Sequence, residues 1–116
     1  MTALIDTYCE VWNESDLLIR AERLAEVWAL DATYTDPMVH AISSSELLRH
    51  IDNMREILPP DVKIIRTSCI DEHHKLIRFS WQIVQSEGAV FSDGVDFVEI
   101  SNEGKIQRII GFIGAD

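Results

Sequence analysis

The stretch Ile77-Arg78-Phe79-Ser80-Trp81-Gln82-Ile83 alternates apolar and polar side chains without a break. That period of two belongs to a strand with one buried face and one wet face. Upstream, residues 62–70 read as a second strand, and Asp71-Glu72-His73-His74 reads as the hairpin turn between them. Downstream, Ser86-Glu87-Gly88 and Asn102-Glu103-Gly104 are turn sequences. They bracket closing strands over residues 90–100 and 105–113. The second half of the chain therefore predicts an antiparallel meander.

The first half has helical periodicity instead. Leu4, Ile5, Tyr8, Val11 and Trp12 make one apolar stripe, and Leu17, Ala21, Leu24, Ala25 and Trp28 make another. Asn13-Glu14-Ser15-Asp16 between them offers cap residues for the second helix. Ala32-Thr33-Tyr34-Thr35-Asp36 is rich in strand formers and is stopped by Pro37, which forces Asp36 into an extended conformation. Ser43-Ser44-Ser45-Glu46 is a capping box for a third helix striped by Leu47, Ile51, Met54 and Leu58 and ended by Pro59-Pro60. Three helices followed by a meander predict an α+β domain over residues 1–116, with the helices on one face of a curved sheet.

The chain has 116 residues, 47% of them hydrophobic, which suits a folded domain able to build a core without staples. Its formal charge of −10 speaks against nucleic acid and anionic membranes as partners, because phosphate contacts need clustered Lys and Arg. Cys9 and Cys69 form no CxxC pair and read as buried free thiols. The N-terminal residues carry no basic, apolar leader pattern and no run is long enough for a membrane span, so a cytoplasmic location is expected.

Several strings resemble the nuclear transport factor 2-like superfamily, and within it the small SnoaL-like proteins. They are Tyr8-x-x-x-Trp12-Asn13, Asp31-Ala32-Thr33-Tyr34-Thr35-Asp36-Pro37, Gly94-Val95-Asp96-Phe97, Gly104-Lys105-Ile106 and Gly111-Phe112. The resemblance spans essentially the whole chain and implies a cone-shaped fold. One member, ketosteroid isomerase, has a base aspartate whose match is Asp36. Its two oxyanion-hole donors, a tyrosine and a neutral aspartic acid, match Tyr8 and Asp96. The resemblance thus implies that Asp36 removes a proton α to a carbonyl while Tyr8 and Asp96 hold the enolate oxygen. Here the loop after Pro37 reads Met38-Val39-His40 and lacks that family's glycine.

Each role has a plainer alternative. Asp36 could simply cap its strand end, Asp96 could pair with Arg108 on the next strand, and Tyr8 could be a core tyrosine. The pocket face of the sheet is expected to carry Tyr34, Phe79, Trp81, Gly94, Val98, Ile109, Gly111 and Ile113, with Trp12 above it. That surface suits a small, largely apolar molecule. His40 is expected near the pocket mouth as a possible general acid. His73 and His74 lack a spaced third ligand, so no metal is expected, and no cofactor fingerprint is present. The epoxide-hydrolase arrangement of an arginine between two aspartates is missing at Ser92-Asp93-Gly94.

The odd positions Phe91, Val95 and Phe97 fall on the face that the helices cannot cover, which predicts a homodimer through the sheet. Two functions are compatible with these features. One is a cofactor-independent isomerase, cyclase or lyase acting on a carbonyl compound. The other is a non-catalytic module that binds a ligand or another protein.

Overall fold

The computed structural model describes residues 1–114. Among them the chain forms three helices and seven strands: α1 (Thr2–Asn13), α2 (Leu17–Val27), β1 (Trp28–Asp36), β2 (Val39–Ala41), α3 (Ser44–Ile57), β3 (Lys63–Arg66), β4 (Asp71–His73), β5 (Leu76–Val84), β6 (Val90–Ile100) and β7 (Ile106–Ile113). The strands make one sheet in the order β2-β1-β7-β6-β5-β3, with β4 also paired to β5. Every pairing is antiparallel except β1 with β7, which is parallel. The expected α+β cone, helices on one face of a curved and mainly antiparallel sheet, is the fold observed.

Caps explain the helix boundaries. Asp16 accepts from the backbone N–H groups of Leu18 and Ile19, and Ser43 accepts from that of Glu46 at 3.2 Å. The core joins Ile5, Tyr8 and Val11 of α1 to Leu47 and Ile51 of α3, over Ile77, Phe79, Val98 and Ile109 of the sheet.

Four local expectations need correction. The strand over residues 62–70 shrinks to Lys63–Arg66, because the Ser68 hydroxyl takes the Ser80 N–H at 2.8 Å and replaces a ladder bond. Cys69 beyond it is exposed, while Cys9 is buried. Residues 71–73 are strand rather than turn, and the reversal occurs at His74-Lys75, both with positive φ (51° and 64°). The buried side of α2 is Arg20, Leu24 and Val27, with Leu17 exposed. Arg20 sets that rotation by pairing with Asp52 of α3 and donating twice to the Glu14 carbonyl.

Candidate active site

Three adjacent strands place two carboxyl groups on either side of a glycine. Asp96 of β6 faces Gly111 of β7 in register, and Asp36 ends β1 on the other flank of β7. A Cβ added to Gly111 would lie 2.9 Å from Asp96 Oδ1 and 3.6 Å from the Asp36 Cβ. The missing side chain therefore keeps a gap open between the two acids. Above it lies a cavity of about 210 Å³ walled by Tyr8 and Trp12 of α1, His50 and Met54 of α3, and Phe79 and Trp81 of β5.

The two carboxyls have opposite surroundings. Asp36 Oδ1 accepts from the backbone N–H groups of Met38 (2.8 Å) and Val39 (3.1 Å). Asp36 Oδ2 accepts from the Tyr34 hydroxyl (2.8 Å) and lies 3.1 Å from His50 Nε2. Burial pushes this carboxyl up, but the bonds from His50, the Met38 N–H and Tyr34 outweigh it and hold Asp36 below its ordinary value. Asp96 is buried and meets a single donor, Trp81 Nε1 at 3.0 Å. Burial pushes it up to about 7, the Trp81 bond pulls the other way, and the Asp36 charge adds to the rise. Near neutral pH one acid is charged while the other still carries a proton much of the time.

Tyr8 reaches the cavity from α1 and its hydroxyl accepts from Trp12 Nε1 at 3.0 Å, which leaves its own proton to donate. Burial, then the nearby Asp96 charge, lifts Tyr8 well above its usual value, and burial does the same to Tyr34. Both phenols stay protonated. Cys9 also borders the cavity, with burial and then Asp96 pushing its thiol up to about 12, so it is no nucleophile.

Of the candidates read from sequence, Tyr8, Trp12, Tyr34, Asp36, Phe79, Trp81, Asp96, Gly111 and Ile113 border this one cavity. His40 does not. It pairs with Thr35 across β1 and β2, so strand alternation turns it to the opposite face, exposed, with Nδ1 2.7 Å from Thr35 Oγ1. Val98 and Ile109 are register partners in the closed core and do not reach the cavity. Arg108 sits opposite Glu99, not Asp96, so the expected alternative pairing of Asp96 does not occur. The strand-end role of Asp36 does occur, through Oδ1, alongside its place in the cavity.

Of the cavity residues that the sequence reading missed, which include Met38, Met54 and Ile64, two bear most on the site. His50 occupies a place in the apolar stripe of α3, three after Leu47 and four before Met54, and a histidine in that stripe was the available signal. Phe91 borders the cavity instead of the outer face. A bulge sets Ile83 against Ser92 and Val84 against Val90, leaving Phe91 unpaired and the alternation broken.

The SnoaL-like domain model matches residues 5–109. The chain belongs to the SnoaL-like family. Its fold matches a proposed isomerase of that family from Agrobacterium tumefaciens str. C58 with a TM-score of 0.90, at 26% identity over 98% of this chain and 97% of the other. A proposed polyketide cyclase from Sinorhizobium meliloti shares the fold at a TM-score of 0.69 and 13% identity, covering 94% of this chain and 93% of its own. An NTF2-like protein of unknown function from Exiguobacterium sp. 255-15 does so at 0.73 and 16%, covering 97% and 99%. No curated protein sequence matches the chain. Among the described residues no helix is long and apolar enough to cross a membrane, and no group of three or more His, Cys, Asp or Glu side chains could hold a metal.

Proposed function

We propose that this SnoaL-like protein is a cofactor-independent isomerase or cyclase that moves a proton α to a carbonyl of a small, largely apolar compound. The observation that carries the reading is the pair of carboxyls flanking Gly111, one fully hydrogen-bonded and one in an apolar wall with a single donor. The proton leaves toward the side of the site that the charged Asp36 carboxylate holds. Tyr8 and neutral Asp96 donate to the oxygen on which negative charge develops, in a site whose walls are largely apolar. A carbonyl compound with one ring fits a cavity of about 210 Å³. The family's proposed isomerase and cyclase supply the same class of chemistry by resemblance.

Exchange of α-protons for deuterium tests this directly. Cyclohexanone incubated with the protein in heavy water should exchange faster than in buffer, as followed by proton NMR. Asp96→Asn should keep the fold and slow the exchange about 10²–10³-fold, the usual cost of one oxyanion donor. Exchange at the buffer rate with the wild-type protein contradicts the reading and leaves ligand binding without catalysis.

The proposed assembly is a homodimer through the outer face of the sheet. Phe97 and Phe112 stand there exposed and edge to face, their ring centres 5.9 Å apart, with Val95 between them in register with Phe112. A contiguous exposed apolar patch supports an interface reading for this face.

A further inference from the structure

Asp36 has spent its capacity to accept. An ionised carboxylate offers about four lone-pair sites, and four donors already surround this one: two backbone N–H groups on Oδ1, with Tyr34 and His50 on Oδ2. A proton arriving at Asp36 must displace one of them. The neighbouring imidazole is better placed to receive it. His50 is 8% exposed, its ring lies edge-on to Trp12 at 5.8 Å and beside Tyr34 at 5.8 Å, and it walls the cavity. These contacts hold the ring in one orientation.

The charge on Asp36 decides the tautomer. A carboxylate can only accept, so His50 Nε2 must carry the hydrogen of the 3.1 Å contact, and neutral His50 then has its lone pair on Nδ1. Nδ1 has no hydrogen-bond partner among the described residues. It is not sealed in the core either, because among those residues the fully buried, unpartnered side-chain nitrogen is that of Trp28.

We infer that His50 is the proton acceptor of this site, with Nδ1 taking the substrate's α-proton and Asp36 orienting the ring and balancing its charge. The inference rests on the proton-transfer reading above and moves the accepting atom from the carboxylate to the imidazole. The step balances: the C–H electron pair becomes the enolate, whose oxygen is held by Tyr8 and Asp96. The proton forms an Nδ1–H bond, and the imidazolium stays beside the Asp36 carboxylate. Return of that proton to a different carbon, or carbon–carbon bond formation by the enolate, completes an isomerisation or a cyclisation. Asp36 is then a positioning residue, in the manner of the carboxylate that orients a catalytic histidine in hydrolases.

Three measurements test the assignment. Nitrogen-15 NMR across a pH series in the wild-type protein should show that the neutral form of the imidazole carries its hydrogen on Nε2 with Nδ1 bare; the reverse tautomer overturns the proposal whatever the substrate. His50→Gln keeps an N–H donor near Asp36 but cannot take a proton. It should lower kcat for cyclohexanone exchange about 10²–10⁴-fold with KM nearly unchanged. Added imidazole should restore exchange to His50→Ala. If His50→Gln exchanges at the wild-type rate, the base is elsewhere and only the assignment to His50 falls. If the wild-type protein itself does not exchange, the proton-transfer reading falls with it.

Discussion

Trp81 Nε1 reaches Asp96 Oδ1 at 3.0 Å because its indole lies over a residue with no side chain, Gly94, its register partner on β6. A Cβ at Gly94 would lie 2.3 Å from Trp81 Cζ2 and 2.3 Å from the Phe112 carbonyl oxygen. The glycine thus lets one side chain cross the strand and bond to the acid two residues along.

Gly94→Ala cannot be absorbed by a small shift, since one of the two clashes is with backbone. It should destabilise the protein by about 1–3 kcal/mol, the usual cost of overpacking. A thermal melt checks this, with a fall of about 4 °C for each kcal/mol in a domain of this size. An unchanged melting temperature means that the indole does not lie over Gly94.

Asp36→Asn removes the negative charge that helps hold Asp96 up. Asp96 should therefore titrate below its value of about 7, although burial will keep it above that of an exposed aspartate. Carboxyl carbon-13 chemical shifts read the change. No movement of Asp96 means that the two acids do not sense each other across Gly111.

Asp96 also imposes a pH dependence on stability. Its folded value of about 7 lies above the unfolded reference of about 3.9, so its contribution is fully present below about pH 4 and is lost as pH rises toward 7. The loss is on the order of 4 kcal/mol as an upper bound. Asp36, held below its ordinary value, acts in the opposite sense and loses its contribution as pH falls through its folded value. Asp96→Asn should thus be more stable than wild type at pH 8 and nearly equal to it at pH 4. Urea unfolding at both pH values decides it, and a constant difference contradicts a buried, titrating Asp96.

Phe97→Glu places a charge in the centre of the exposed outer face, against Phe112. If that face joins two copies, sedimentation should show a dimer for wild type and a monomer for the variant, with the melting curve otherwise cooperative. A wild-type monomer removes the dimer proposal.

Much of this architecture is legible in the chain because it rests on local rules. The alternation from Ile77 to Ile83 survives as β5, the capping box at Ser43 starts α3, and Pro37 stops β1 where its ring demands. The departures come where a long-range partner overrides the local pattern. Ser68 ends β3 by bonding to Ser80, twelve residues away, and Arg20 turns α2 by reaching Asp52. One unpaired residue, Phe91, changes faces through a bulge that the turn chemistry does not reveal. Asp36, Tyr8 and Asp96 stood out as residues, but their meeting depends on the parallel register of β1 with β7. His50 escaped notice because a histidine within an apolar stripe reads as core until its partner is seen.

The most direct test of the central claim is a carboxyl NMR titration of Asp36 and Asp96 in the unliganded protein. The arrangement around Gly111 predicts that Asp96 titrates at about 7 while Asp36 stays ionised down to below its ordinary value. If both titrate together near the reference of about 3.9, the acids are ordinary carboxylates and the proposed chemistry has no site.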